Sequence, residues 1–337
     1  MKTPAMIASK AGGELTKGDI DLGPLGPEQV EIAVQTCGVC HSDLSMLNND
    51  WQLTAYPLVP GHEVVGTIAA AGPQAKNVKV GQTVGLGWYS GSCMTCRQCM
   101  GGDHNLCPTS EQTIVGRYGG FASRVRCHWA WASPLPEGID LKKAGPLLCG
   151  GITVFNPIVQ NDIQPTDRVG VVGIGGLGHL ALQFLNKWGC DVTAFTSSSG
   201  KADEVKRLGA HQAVSSRDDA AMAKIKGTLD FILVTANADL NWGAFIEALA
   251  PKGRLHFVGV PPSPVGSHMF PVISGQKSIS GSPLGSPATT QLMLDFCARH
   301  KIAPVTESFR MSEASKALHH LHEGKARYRL ILDNDLG

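Results

Sequence analysis

Neither sign of charge has a majority in this chain. Its 337 residues hold 29 lysines and arginines against 28 aspartates and glutamates, a formal net charge of +1. No basic stripe runs along it, which argues against nucleic acid as a partner, and no lysine-rich tail suggests an acidic one. Long apolar runs are missing too: none reaches the roughly 18–20 residues of a membrane span. The opening MKTPAMIASKAGG has neither an apolar signal core nor a cleavage site, so export is not expected. Internal repeats and low-complexity segments are absent. The expectation is a cytoplasmic protein, too long for one ordinary core and suited to two domains.

Cysteine, by contrast, is plentiful, with ten in the chain. A protein of this size has core enough without disulfide staples, and closely spaced thiols in a reducing compartment are more often metal ligands. One run, Cys93-x-x-Cys96-x-x-Cys99 followed by Cys107, supplies four thiolates from one short loop. Such a lobe wraps a tetrahedral zinc completely, leaves no coordination position open, and makes metal binding a source of folding energy. A second set is scattered: Cys40 in CGVCHSD, His62 with Glu63 in GHE, and Cys149 in PLLCGG. Two thiolates and one imidazole leave the fourth position of a zinc ion open to water or a substrate oxygen. A zinc so held polarises a carbonyl, or in the reverse direction stabilises an alkoxide. Spacing alone leaves Cys37 competing with Cys40 as ligand, and a lone His62 is more often a satisfied core histidine.

The first half of the chain is built of short β-branched runs between glycine and proline turns (VEIAVQTC, VVGTIAAAG, VKVGQTVGL, FASRVRC), the pattern of a compact, mostly β domain. From Gly150 strands and helices alternate, beginning with RVGVVGIGG and LGHLALQFLNKWG, which predicts a doubly wound parallel sheet. The tail, with helices over PATTQLMLDFCARH and EASKALHHLHEG and an edge-like strand RYRLILD, is expected to return to the first domain. The domains are therefore expected at 1–149 with 285–337, and at 150–284.

Gly173, Gly175, Gly176, Leu177 and Gly178 sit where the first of these strands turns into a helix. Glycine there allows a tight turn and a close approach of pyrophosphate to bare backbone, and the helix N-terminus offers free N–H groups and a positive dipole end. The second strand, CDVTAF, ends in Thr196-Ser197-Ser198-Ser199-Gly200-Lys201, with no carboxylate before Asp203. An acid would bind a ribose 2′-hydroxyl and repel a 2′-phosphate; hydroxyls with a lysine hold the phosphate. The cofactor is read as NADPH, held by Ser197, Ser198, Ser199 and Lys201. The same serines also read as caps of the next helix, a compatible role.

Together CGVCHSDLSM, YPLVPGHEVVG, CMTCRQCMGGDHNLC, PLLCGGITVF, VGIGGLGHLA, TAFTSSS and GKARYR resemble the zinc-containing medium-chain dehydrogenases/reductases over essentially the whole chain. Within them the likeness is to the cinnamyl alcohol dehydrogenase-like branch and its bacterial and cyanobacterial NADPH-dependent aldehyde reductases. The resemblance implies an α/β architecture, a GroES-like mostly-β catalytic domain plus a Rossmann domain, with two zinc ions per chain. It carries the catalytic ligands onto Cys40, His62 and Cys149, with Glu63 able to replace the zinc-bound water transiently. It makes Ser42 the start of a proton relay, sets Thr153 against the nicotinamide, and makes Arg329 a phosphate contact. Asp43 is expected to orient His62, though it also reads as a turn cap.

Plant members often carry a histidine five residues after the ligand cysteine, where this chain has Ser45. Outer proton release then falls to water, His41 or Asp50. Trp51 and Trp88, with Tyr56, are candidates for the pocket wall. No arginine or lysine adjoins the catalytic motifs to clamp a substrate carboxylate or phosphate, which favours simple aldehydes. The expected activity is NADPH-dependent reduction of a range of aldehydes to primary alcohols; oxidation of a dedicated cinnamyl-type or sugar alcohol is the alternative. A zinc-free reductase on the same fold would lack the ligand set present here, and a protein without turnover would show damage to it. A homodimer is expected by analogy alone.

Overall fold

The computed structural model describes residues 2–196 and 199–337, and the chain divides into two compact units, Met1–Ile152 with Gly285–Gly337, and Thr153–Leu284. In the first unit the β-branched segment Gln29–Val39 is the longest strand and the organising one. It pairs antiparallel with Val64–Ala71, with Arg124–His128 and with Arg329–Asp333. Its apolar face joins Val125, Leu330 and Leu332 in one buried cluster, and each such side chain contributes about 1.5–3 kcal/mol of burial free energy. The register sets Val39 opposite Leu330 and Cys37 opposite Val64. Cys40 and Glu63, just outside two strand ends, and Arg329, the first residue of a third strand, therefore converge.

One expectation is corrected here. Arg329–Asp333 is not an edge strand: it lies between Gln29–Val39 and the parallel strand Thr306–Arg310, which takes the edge. The reason is visible in its composition, since Arg329, Leu330, Ile331 and Leu332 are all buried, and a continuous apolar run marks a strand covered on both faces.

Among its described residues the second unit holds six parallel strands: β1 (Arg168–Val172), β2 (Asp191–Thr196), β3 (Gln212–Ser215), β4 (Leu229–Val234), β5 (Leu249–Phe257) and β6 (Ser278–Gly281), in spatial order 3-2-1-4-5-6. The chain leaves β1 through the glycine turn into the helix Gly178–Trp188. The strand order reverses between β1 and β4, and such a reversal opens a crevice at the carboxyl ends of the strands.

A polar knot closes the first sheet. Glu31, buried on Gln29–Val39, accepts hydrogen bonds from Arg124 Nη1 at 2.7 Å and Arg126 Nε at 2.9 Å. Arg126 also donates to the carbonyls of Leu22, Gly23 and Pro24. Burial pushes the Glu31 pKa up, but the hydrogen bonds and charges of the two arginines outweigh it and hold the carboxyl below its usual 4.5. A lowered folded-state pKa means stability that is present above the unfolded value and lost as pH falls through the folded one. Glu31→Gln is expected to cost about 1–2 kcal/mol at neutral pH. It should also flatten the fall in melting temperature of the wild type below pH 4.5; thermal melts between neutral pH and pH 3 on both proteins check it, and parallel acid limbs would refute it.

Candidate metal and nucleotide sites

The scattered ligand set comes together. Ligand atoms of Cys40, His62, Glu63 and Cys149, all four residues buried, lie within 4.8 Å of one another. Cys40 ends the central strand and caps the helix His41–Asn48; His62 and Glu63 immediately precede Val64–Ala71; Cys149 follows the 3-10 turn Gly145–Leu148. Close approach of these segments needs glycine. A Cβ on Gly38 would come within 2.0 Å of Glu63 Oε2, and one on Gly145 within 2.6 Å of the Glu63 carbonyl. These two positions were not picked out by the sequence reading, although CGVC and AGPLLC carry them.

Asp43 organises the cluster. Its Oδ1 accepts from the Gly61 N–H at 2.8 Å and stands 3.0 Å from His62 Nδ1, while Oδ2 accepts from the Cys40 N–H at 2.9 Å. It is at once the turn cap and the group that sets the histidine. With Nδ1 so engaged, His62 Nε2 is left buried without a hydrogen-bond partner, and so is Glu63 Oε2. Buried polar atoms of this kind are rarely left unpaired, and here they share a cluster with two sulfurs 3.8 Å apart. The hydrogen bond from Cys149 holds the Cys40 thiol well below its ordinary range, while that bond and burial push Cys149 well above. Two sulfurs so close, beside an imidazole nitrogen with no partner, are a donor set for a divalent cation. The donor set therefore fits a tetrahedral zinc.

Cys37 is buried with its thiol toward the Gly38 carbonyl at 3.6 Å and is outside the cluster. Arg329, expected at a phosphate, has its guanidinium buried against the Glu63 carboxylate. Ser42 Oγ lies 3.7 Å from Cys40 Sγ; Ser45 is buried, while His41 and Asp50 are exposed. Trp88 meets the His62 ring edge-on at 5.1 Å and Trp51 at 5.9 Å, so the two indoles extend from the buried histidine to the half-exposed Trp51. Tyr56 instead ties down the helix His41–Asn48, its hydroxyl donating to the Leu47 carbonyl at 2.7 Å.

The second cysteine set also converges, Cys93, Cys96, Cys99 and Cys107 having their sulfurs within 4.8 Å of one another. Backbone amides point at them: Cys96 N–H at Cys93 Sγ (3.2 Å), Cys99 N–H at Cys96 Sγ (3.5 Å), Cys93 N–H at Cys107 Sγ (3.4 Å). The amides of Thr95 and Cys96 draw the Cys93 thiol down to about 5, and burial pushes Cys99 up to about 11.

In the second unit three glycines of the turn after β1 do separate tasks. Gly173 has φ +90°, a Cβ on Gly178 would come within 2.1 Å of the Gly173 carbonyl, and a Cβ on Gly175 would meet nothing within 4 Å. The turn is thus tight at its start, closely packed at its end and open in between, which fits a bound pyrophosphate. Gly176 and Leu177 complete the turn, and Thr153 is buried on the helix Gly150–Gln160. Ser197 and Ser198 lie outside the described residues, Ser199 begins a short 3-10 turn, and Lys201 is exposed.

Residues 26–137 match the family model of the alcohol dehydrogenase GroES-like domain, and residues 176–299 that of the zinc-binding dehydrogenases. Aldehyde reductase AdhA of Synechocystis sp. is 55% identical over 98% of each chain. A probable mannitol dehydrogenase of Medicago sativa is 37% identical over 99% of this chain and 95% of its own. Among solved structures, a cinnamyl alcohol dehydrogenase of Sorghum bicolor superposes with a TM-score of 0.94 at 35% identity, covering 100% of this chain and 99% of its own. CAD from Helicobacter pylori, complexed with NADP(H), superposes with a TM-score of 0.89 at 27% identity over 99% of each chain.

Proposed function

The chain belongs to the zinc-dependent alcohol dehydrogenase family, and from that premise we propose that it reduces a broad range of aldehydes to primary alcohols with NADPH. The observation that carries this reading is the buried cluster of Cys40, His62, Glu63 and Cys149 with its unpartnered His62 Nε2. Cys40, His62 and Cys149 would hold a catalytic zinc, whose chemistry is Lewis-acid polarisation of the carbonyl. Cys93, Cys96, Cys99 and Cys107 would hold a second, structural zinc. Gly173, Gly175, Gly176, Leu177 and Gly178 would cradle NADPH, which would supply the hydride. The identity to an aldehyde reductase and the likeness to an NADP(H) complex support the substrate and the cofactor.

The chain's own groups then have definite tasks. Asp43 fixes the ring of His62 through Nδ1, so that Nε2 serves as ligand. Arg329 compensates the buried Glu63 carboxylate, and that carboxylate would be a further oxygen donor beside the zinc. Ser42, half-buried beside Cys40, hands a proton to the substrate oxygen. Ser45 is buried, so resupply from solvent falls to His41, Asp50 or water. Thr153 would face the nicotinamide, and Trp88 with Trp51 would wall the substrate pocket. The two indoles of that wall, set edge to face at 77°, also suit an aromatic substrate and favour a second reading, a dedicated cinnamyl-type alcohol dehydrogenase. The enzyme works as a cytoplasmic homodimer.

Nicotinamide absorbance, followed with NADPH and separately NADH against short, long and aromatic aldehydes before and after chelation, tests the reading. Rapid NADPH oxidation across the panel that fades with metal removal is expected. Turnover confined to cinnamyl-type substrates would favour the second reading, and none with any aldehyde or alcohol would refute both. Ser197→Asp should shift preference from NADPH toward NADH by about 10-fold or more, since a carboxylate repels the 2′-phosphate and accepts from the 2′-hydroxyl. An unchanged kcat/KM ratio would move the 2′-phosphate contact to other residues.

A further inference from the structure

Thr235 follows β4 directly and stands beside the turn that leaves β1. Its N–H donates to the Val172 carbonyl at 2.9 Å. Its hydroxyl is 2.5 Å from the Gly173 carbonyl and 3.1 Å from that of Val172, so the shorter bond goes to Gly173. The same Gly173 carbonyl packs so close to the start of the helix Gly178–Trp188 that only glycine fits at 178. The peptide that opens the nucleotide turn is thus held between a helix and a threonine hydroxyl.

The segment after β4 repeats the device on its other side. Asn237 Oδ1 accepts from the Val260 N–H at 2.9 Å, and Asp239 accepts from the Ser263 N–H and hydroxyl at 3.2 and 2.9 Å. Ala236 is wedged between the two turns: a Cβ on Gly173 would lie 2.7 Å from the Ala236 Cβ, and one on Gly259 2.6 Å from its carbonyl. Alternate side chains of residues 235–239 therefore grip the turns that follow β1 and β5, on either side of β4.

We propose that Thr235 is a positioning residue for the nucleotide turn, its hydroxyl fixing the Gly173 carbonyl so that the amides of Gly175 to Gly178 stay open to the cofactor pyrophosphate. The inference rests on the nucleotide-binding reading of that turn. Without the donor, the carbonyl loses its hydroxyl partner and the turn must be ordered when the cofactor binds, which costs affinity. Chemistry on bound substrate is untouched.

The test compares Thr235→Val, which keeps the shape and removes the donor, with Thr235→Ser, which keeps the donor. NADPH affinity is read from quenching of tryptophan fluorescence, alongside kcat, aldehyde KM and melting temperature. The valine variant is expected to bind NADPH about 5–10-fold more weakly, with kcat at saturating cofactor and aldehyde KM unchanged; the serine variant should bind as wild type does. Wild-type affinity in the valine variant, or equal weakening in both variants, would overturn the proposal. So would a loss of affinity that only tracks a lower melting temperature. A wild-type protein that binds neither NADPH nor NADH would overturn the nucleotide reading itself, and the positioning role with it.

Discussion

Cys149→Ser and Cys40→Ser are each expected to abolish turnover while the fold persists. Serine nearly matches cysteine in shape but is a poor zinc ligand, so the open site would empty or bind its metal weakly. The chain would then lose the several kcal/mol of charge stabilisation that a Lewis acid supplies at a developing alkoxide, or about 10³-fold or more in kcat. NADPH binding should survive, because the glycine turn and the segment after β4 contain none of these residues. Cys37→Ser is the control: its thiol lies outside the cluster, and turnover in that variant should exceed that of either ligand variant by orders of magnitude. The measurements are kcat, metal content and NADPH affinity on each purified variant. Full activity in Cys149→Ser or Cys40→Ser would remove the ligand assignment.

How much of this was legible in advance differs from residue to residue. The four cysteines of the lobe are close in the chain, so their spacing alone announces a shared ion. The choice between Cys37 and Cys40 is not local. It depends on the strand register that sets Cys37 opposite Val64, while Cys40 lies past the strand end and caps a helix. A resemblance in motif supplied what spacing left open. Arg329 shows the opposite case. The resemblance makes Arg329 a phosphate contact, and only the pairing of Arg329–Asp333 with Gln29–Val39 shows that it meets Glu63. The same strand reads as edge-like in the sequence, whereas Arg329 is buried and paired with Glu63. Thr235 was invisible, because a hydroxyl bonded to a distant carbonyl leaves neither a period nor a motif in the sequence.

Cys99→Ser should act on stability rather than on chemistry. The lobe has little else to hold it. Met100 and Leu106, which could have formed a small core, are exposed, and a two-strand pairing of Tyr89–Gly91 with Glu111–Gln112 closes its base. Isolated two-stranded pairs are marginal in water, so a bound ion would supply the folding energy; structural zinc in small domains supplies about 10–16 kcal/mol at neutral pH. Loss of one of four thiolates should release the metal or weaken it severely. Residues 91–112 would then exchange their amide hydrogens freely, and the melting temperature would fall. The pH dependence has a definite sign. Cys93, drawn down to about 5, is already a thiolate at neutral pH, but Cys99, pushed up to about 11, must surrender a proton when the ion binds. Metal binding therefore releases protons, and affinity falls as pH falls. Metal content by native mass spectrometry, with hydrogen exchange across the lobe, separates this site from the catalytic one. The variant should retain one ion per chain and lose protection only in the lobe. A Cys99→Ser protein that kept both ions and wild-type exchange would show that the lobe is held by something other than its four thiolates.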